Sequence, residues 1–153
     1  MRIAKSSTAS APVIILLVDD NKMGLAARRV LLEELGHTVV TAANGLDALA
    51  AVEVNTFDLI ITDMKMPKLD GLELIGRLRE NGFAAPIILL SGFANTAGMR
   101  DDETGADAVV QKSANEVQVL LGTVKRLLSR KPARKPPASQ PAVKTIKLKT
   151  KIV

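Results

Sequence analysis

The sequence contains no cysteine, tryptophan or tyrosine, and its only histidine is His37. Without cysteine there can be no disulfide, thiolate zinc site, iron–sulfur cluster or cysteine nucleophile. One histidine cannot supply a multi-histidine metal site, and any Ser/His/Asp triad would have to use it. The three phenylalanines are too few for the stacking platforms that commonly hold single-stranded nucleic acid. Several common kinds of catalytic, metal and nucleic-acid site are therefore excluded.

Long apolar runs are also missing. The longest, Val13 to Val18, has six residues, whereas a membrane span needs roughly 20. A signal peptide needs an apolar stretch of about 7–15 residues followed by a small-residue cleavage site, and here Asp19 and Asp20 end the run. The sequence therefore predicts a cytoplasmic protein.

Acidic residues are absent from the C-terminal end of the chain. Residues 130–153 hold eight basic residues, no acidic one and four of the seven prolines, whereas residues 1–129 hold 13 basic and 16 acidic residues. The net charge of +5 is thus the sum of an acidic body and a basic tail. A length of 153 residues fits one domain. We expect a flexible leader at 1–11, a domain at 12–129 and a disordered Pro/Lys-rich tail at 130–153.

The middle of the chain alternates between short β-branched runs and longer stretches with helical spacing. Five strands are expected, at residues 13–18, 38–42, 57–62, 87–90 and 107–110. The first of these is a continuous apolar run, which is typical of a strand buried on both faces. Because parallel neighbours need crossover connections, the alternation with helices predicts a doubly wound α/β fold with a five-stranded parallel sheet.

The first expected helix begins after Asn21, a suitable N-cap, and runs to about Leu35. Its predicted buried face consists of Leu25, Val30, Leu31 and Leu35. Further helices are expected from residue 45 onward, at 71–80 and at 114–128, together with a short acidic one at 95–104.

Polar residues stand at the ends of four of the five expected strands. Asp19 and Asp20 follow the first strand, Asp63 the third, Ser91 the fourth and Lys112 the fifth. In open α/β sheets, ligands bind beyond the carboxyl ends of the strands. Three carboxylates brought together there would repel one another, and a divalent cation with oxygen ligands relieves that repulsion. Mg²⁺ is the natural candidate, because it takes one or two protein carboxylates and keeps several waters or phosphate oxygens.

The remaining two side chains suit phosphoryl transfer. A phosphoryl group that moves onto a carboxylate spreads negative charge over its equatorial oxygens. Lys112 can pair with one of these oxygens, Ser91 can donate a hydrogen bond to another, and the metal can take a third. Each residue alone also fits a helix cap, a turn or an exposed lysine. Their combination at four strand ends favours a site that forms an aspartyl phosphate.

Five separated motifs resemble those of the receiver domains of two-component response regulators, the family that includes the chemotaxis regulator. The motifs are LLVDDN at 16–21, DLIITDMKMP at 58–67, DG at 70–71, LLSG at 89–92, and GAD at 105–107 leading to Lys112. They occur in the family's order, and the resemblance covers about residues 12–129. It implies the flavodoxin-like (βα)5 receiver fold.

The resemblance also implies a role for each candidate residue. Asp63 would be the phosphoacceptor, and Ser91 and Lys112 would hold the phosphoryl oxygens. The implied Mg²⁺ ligands are Asp19, Asp20, Asp63 and the backbone carbonyl of Lys65. The phosphoryl donor would be a histidine kinase or a histidine phosphotransfer protein.

Three features depart from the family's pattern. Val109 stands where the family usually has a tyrosine or phenylalanine that acts as a rotamer switch. Ser113 stands where a proline usually follows the lysine in a cis peptide bond, and because a cis bond without proline costs ~2.5–4 kcal/mol, we predict a trans Lys112–Ser113 bond. The helix expected at 95–104 lacks an apolar anchor, so we expect it to become ordered on phosphorylation or partner binding.

Three functions are consistent with these observations. The leading one is a single-domain signalling receiver that binds an unknown downstream protein when phosphorylated, and that catalyses only its own phosphorylation and dephosphorylation. In the second, the basic tail binds nucleic acid or an anionic membrane under control of phosphorylation. The third is a metal-dependent aspartyl phosphatase of the haloacid dehalogenase type. That chemistry usually has a second acid two residues after the nucleophile, where this sequence has Lys65.

Overall fold

The computed structural model describes residues 12–92 and 104–129. Five parallel strands form one sheet in the order β2-β1-β3-β4-β5. The strands are β1 (Ile14–Val18), β2 (Thr38–Ala42), β3 (Leu59–Asp63), β4 (Ile87–Ser91) and β5 (Ala108–Gln111). The helices in the described residues are α1 (Lys22–Glu34), α2 (Gly45–Val54), α3 (Gly71–Glu80) and α4 (Glu116–Leu128). The predicted doubly wound α/β fold is confirmed.

The strand order places four strand ends side by side. β1 pairs with β3, β3 with β4 and β4 with β5, all in parallel. Asp63 lies opposite Leu90, and Ser91 lies opposite Gln111. The carboxyl ends of β1, β3, β4 and β5 therefore form one continuous edge of the sheet, which we call the C-terminal edge.

Side chains of each central strand alternate between two apolar clusters, one on each face of the sheet. Ile61 packs in the cluster that includes Leu32 of α1, whereas Ile60 packs in the cluster that includes Leu74 of α3. The first cluster also contains the buried apolar residues of α4, which are Leu120, Val124 and Leu127. Burial on both faces explains why these strands are continuous apolar runs rather than alternating ones.

The first three helices each begin at a side-chain cap, because the first backbone N–H groups of a helix have no partner inside it. Asn21 caps α1, as predicted. The cap bonds run from the Gly24 N–H to Asn21 Oδ1 at 2.9 Å, from the Asp47 N–H to Asn44 Oδ1 at 2.8 Å, and from the Glu73 N–H to Asp70 Oδ1 at 2.9 Å.

The predicted buried face of α1 is wrong in its phase. Val30 is 52% exposed and Leu35 is 46% exposed, whereas Leu32 is fully buried. The buried stripe keeps the predicted Leu25 but passes through Leu32, and Arg28 lies between them at helical spacing with little exposure. A charged residue occupies the stripe because two carboxylates pair with it there, and this interrupts the apolar pattern that predicts the face.

Several element boundaries also differ from the prediction. β3 and β4 each end one residue later than expected, so that Asp63 and Ser91 are the last members of their strands and not the residues after them, and β3 begins two residues later, at Leu59. α4 begins at Glu116, two residues later than expected. The site residues at these strand ends are therefore held by the hydrogen bonds of the sheet.

The opposite, N-terminal edge of the sheet carries the single histidine. His37 is buried, and its Nδ1 accepts a hydrogen bond of 3.3 Å from the Val13 N–H. Burial lowers the pKa of His37 below its ordinary value. The side chain thus acts as a neutral acceptor between the starts of β1 and β2.

No helix within residues 12–92 and 104–129 is long and apolar enough to cross a membrane. The predicted leader at 1–11, most of the predicted helix at 95–104 and the predicted basic tail at 130–153 lie outside the described residues.

Candidate functional site

Three carboxylates meet at the C-terminal edge of the sheet. Asp19 directly follows β1, Asp20 comes next, and Asp63 ends the neighbouring strand β3. Each offers an oxygen that lies within 4.8 Å of the other two. Asp19 and Asp63 are buried, whereas Asp20 is exposed. A set of three carboxylate oxygens open to solvent on one side fits Mg²⁺, which prefers hard oxygen ligands and keeps several waters.

The Asp63 carboxylate forms an ion pair with the ammonium group of Lys112. Burial raises the pKa of Asp63 above its ordinary value. The hydrogen bond and positive charge of Lys112 act in the opposite direction without cancelling this effect, and the negative charge of Asp19 adds to the rise. The charged form of Asp63 is therefore held at some cost, and further positive charge beside it would be favourable.

Lys112 is positioned by its own backbone. It follows β5 directly, and its N–H donates a 2.8 Å hydrogen bond to the carbonyl of Ser91 on β4. No peptide bond in the described part of the chain is cis, so the Lys112–Ser113 bond is trans, as predicted. The ammonium group thus reaches Asp63 from a strand end that is followed by a trans peptide bond.

Ser91 is fully buried at the end of β4, the strand next to Asp63. Its hydroxyl donates a 2.8 Å hydrogen bond to the carbonyl of Gly92 and lies 3.6 Å from the sulfur of Met64. The structure therefore brings Ser91 to the same edge as the carboxylates, and its contact with a phosphoryl oxygen stays a prediction.

The loop that follows Asp63 is held by two close backbone approaches. A Cβ at Gly71 would lie 2.4 Å from the Asp63 carbonyl oxygen, and a Cβ at Gly45 would lie 2.4 Å from the carbonyl oxygen of Leu69. The Gly71 N–H also donates a 2.7 Å hydrogen bond to the carbonyl of Met64. Only glycine leaves room for the backbone at these two positions, so the loop is held against both α2 and α3.

Lys65 lies in this loop and lines an open cleft beside the carboxylates. The cleft is lined by Asp20, Met64, Lys65, Met66, Pro67 and Asp70. A metal contact through the Lys65 backbone carbonyl stays a prediction.

Val109 is half-buried and lies opposite Leu89 of β4. It packs against the apolar cluster on the α2 and α3 face of the sheet. Without a ring or a hydroxyl it cannot act as an aromatic switch, and its part in signalling stays a prediction.

Two residues beside the site are not among the predicted ones: Arg28 contacts Asp19, and Glu116 contacts Arg28. Arg28 of α1 forms ion pairs with Asp19 and with Glu116 of α4. Burial by itself lowers the pKa of the Arg28 guanidinium, but the hydrogen bonds and charges of Glu116 and Asp19 outweigh it, so the pKa is raised. A charged residue at the same helical phase as Leu25 and Leu32 is the signal that could have indicated Arg28.

The comparisons with known proteins agree with this geometry. The sequence model of the response regulator receiver domain matches residues 15–124, and the chain belongs to that family. It is 41% identical over 116 residues to the gliding motility regulatory protein of Myxococcus xanthus, a match that covers 74% of this chain and 15% of that protein. The chain therefore spans only a small part of that relative's length.

Two solved receiver structures are similar in fold and hold Mg²⁺. The response regulator TrrA of Thermotoga maritima, in complex with Mg²⁺-BeF, is 35% identical with a TM-score of 0.68, and the match covers 74% of this chain and 97% of that one. The receiver domain of the sensor histidine kinase PA1611 of Pseudomonas aeruginosa has magnesium in its active site cleft. It is 28% identical with a TM-score of 0.66, and the match covers 78% of this chain and 100% of that one. Together with the carboxylate cluster of this chain, they confirm the predicted cofactor, Mg²⁺.

Proposed function

We propose that this chain accepts a phosphoryl group on Asp63 from a histidine kinase or a histidine phosphotransfer protein in the cytoplasm. The observation that carries the proposal is the meeting of three carboxylates and one ammonium group at the C-terminal edge, with Lys112 paired to Asp63. Buried Asp63 is the carboxylate that the lysine contacts. Its neighbours Asp19 and Asp20 would bind the cation together with it.

In the proposed transfer, a carboxylate oxygen of Asp63 forms a bond to phosphorus while the phosphorus–nitrogen bond of the donor's phosphohistidine breaks. The electron pair of that bond leaves with the imidazole. Lys112 favours the ionised form of Asp63 that this attack requires, and it then pairs with a phosphoryl oxygen. The Ser91 hydroxyl donates a hydrogen bond to a second oxygen. When bound, Mg²⁺ supplies further positive charge beside the transferring group.

Asp19, Asp20, Asp63 and the backbone carbonyl of Lys65 are the protein ligands in this proposal. We also propose that the chain consists of a leader, a receiver domain at 12–129 and a basic tail. Phosphorylated Asp63 would change the affinity for an unidentified downstream protein. Because Val109 has no aromatic ring to move, the signal would pass through Ser91 and the backbone of β4 and β5.

Mass spectrometry tests the phosphoacceptor directly. The full chain is incubated with Mg²⁺ and a small phosphodonor such as acetyl phosphate, alongside the variants Asp63→Asn and Asp58→Asn. Asp58 is a matched control, because it lies near the other end of β3 and accepts a hydrogen bond from the Ile14 N–H. We expect a single phosphoryl adduct in the wild type and in Asp58→Asn, and none in Asp63→Asn. An unmodified wild type, or an adduct that survives in Asp63→Asn, would refute the proposal.

The charge of the tail supports a second candidate function. Eight basic residues with no acidic residue among residues 130–153 suit binding to the phosphates of nucleic acid or to an anionic membrane surface. Binding of duplex DNA and of anionic vesicles is measured over a range of salt concentrations for the full chain and for a chain ending at Ser129. Binding that weakens steeply with salt and is lost with the tail is expected. Equal binding by both chains would exclude a role for the tail.

A further inference from the structure

Arg28 connects the carboxylate cluster to the start of α4. Its Nη1 lies 2.7 Å from Asp19 Oδ2, and its Nε and Nη2 both lie 2.7 Å from Glu116 Oε2. The side chains of Asp19, Arg28 and Glu116 are 2%, 11% and 14% exposed. All three charges are thus largely shielded from solvent. Ionic interactions are stronger in such surroundings than at the protein surface.

Both carboxylate oxygens of Asp19 already have protein partners. Oδ1 accepts a 2.9 Å hydrogen bond from the Asn21 N–H, and Oδ2 accepts one from Arg28. A cation bound at the cluster and the Arg28 guanidinium would draw on the same negative charge. They would also repel each other, because both are positive and the surroundings are buried.

We propose that Arg28 is a positioning residue that sets the affinity of the site for Mg²⁺, an inference that rests on the proposed function. The guanidinium holds Asp19 in the metal-free protein and releases it when the cation binds, while Glu116 keeps the guanidinium in place. Arg28 thereby lowers the affinity for Mg²⁺ and transmits occupancy of the site to the first turn of α4.

Two features fit this exchange. Glu116 receives two of the guanidinium's N–H groups and Asp19 receives one, so Arg28 has an anchor that does not depend on the metal site. A Cβ at position 24 would lie 3.0 Å from Arg28 Nη1 and 3.4 Å from Asp19 Oδ2. Gly24 therefore leaves the space beside Asp19 that the guanidinium occupies.

A purely structural ion pair makes the opposite prediction. If Arg28 only held Asp19 in the orientation that binds the cation, its removal would weaken Mg²⁺ binding or leave it unchanged. The direction of the change in affinity therefore separates the two roles.

The experiment is a Mg²⁺ titration of the full chain, followed by the amide NMR resonances of the site and of residues 116–119, without any phosphodonor. We expect Arg28→Gln to bind Mg²⁺ about tenfold more tightly than the wild type, a difference of about 1.4 kcal/mol. Arg28→Lys keeps the charge and should stay close to the wild type. The control is Arg29→Gln on the same helix, which loses only an exposed pair with Glu33 and should leave the affinity unchanged.

Glu116→Gln is expected to weaken Mg²⁺ binding, because Glu116 then no longer shares the positive charge of Arg28 with Asp19. The resonances of 116–119 should shift with Mg²⁺ in the wild type and not in Arg28→Gln. Unchanged or weaker binding by a folded Arg28→Gln variant would overturn the inference. If that variant does not fold, unchanged or tighter binding by Glu116→Gln would overturn it. If the wild type binds no Mg²⁺, the proposed function is refuted as well. If the wild type binds Mg²⁺ and Arg28→Gln binds it with the same affinity, this inference alone is refuted.

Discussion

Among single residues, Asp63 is the proposed phosphoacceptor, and its position in the fold is unfavourable for a charged side chain. Its carboxylate is buried, and the negative charge of Asp19 is close by. Lys112 offsets only part of these effects, since the pKa of Asp63 is still raised. Residues that are placed for chemistry in this way lower the stability of the folded state, because a different side chain at the same position would be less costly to bury.

We expect Asp63→Asn to raise the free energy of unfolding by about 0.5–2 kcal/mol in buffer without divalent cations. Asparagine has nearly the same shape but carries no charge to be buried beside Asp19. Lys112 is partly exposed and can turn toward solvent when its partner is removed. Urea unfolding of the two proteins measures the difference, and a less stable variant would contradict this account. Asp58→Asn serves as the control, and no gain in stability is expected from it.

Among the elements, the connection from β3 to α3 is constrained by a close approach of two backbone segments. Gly71 approaches the Asp63 carbonyl oxygen so closely that a methyl group cannot be added without moving the backbone. The movement would be felt at Asp63 and Met64, the first of which is the proposed phosphoacceptor. Stability and site geometry therefore depend on the same glycine.

Gly71→Ala should lower the free energy of unfolding by about 1–3 kcal/mol, the usual range for overpacking a buried position. It should also weaken Mg²⁺ binding, because the Asp63 backbone must shift. Gly76→Ala is the matched control on the same helix. A Cβ at position 76 has nothing within 4 Å, so alanine there should raise stability by about 0.5–1 kcal/mol through its better helix propensity. Thermal unfolding and Mg²⁺ titration of both variants check this, and equal effects of the two substitutions would argue against a special role for Gly71.

The strands and the site were more predictable than the helix faces. A strand such as β1 is marked by a run of apolar residues alone, and Asp63 and Lys112 are marked by polarity at the point where such a run ends. The buried face of α1 is harder to predict, because the charged residue Arg28 occupies one of its positions. The apolar residues alone therefore indicate the wrong side of the helix. The pairing of Arg28 with Glu116 joins residues 88 positions apart, and no local spacing in the sequence indicates it.

At the scale of the whole molecule, stability should depend on pH through His37. Its pKa in the folded state is below the ordinary value of 6.5, because burial disfavours the charged imidazolium. Below pH 6.5 the unfolded chain therefore binds a proton that the folded chain resists. The contribution of His37 is fully present above that pH and decreases as the pH falls, until the lowered pKa is reached.

We expect the free energy of unfolding to fall as the pH drops below about 6.5, down to the lowered pKa of His37, with a slope of at most about 1.4 kcal/mol per pH unit from this residue. His37→Asn should remove that slope, since its side-chain oxygen can accept the Val13 hydrogen bond without titrating. Urea unfolding at several pH values compares the two proteins. Parallel pH profiles would show that the slope has another source.

The C-terminal edge of the sheet and its buried interior differ in composition and in proposed role. The residues proposed for chemistry stand in the last places of the strands or just beyond them, whereas the rows of Ile60, Ile61 and their neighbours before them are fully buried and apolar. An exchange of side chains at the C-terminal edge therefore leaves the packed rows intact. The fold is thus a framework whose C-terminal edge could carry a different set of charged residues and so bind another ion or another anionic group.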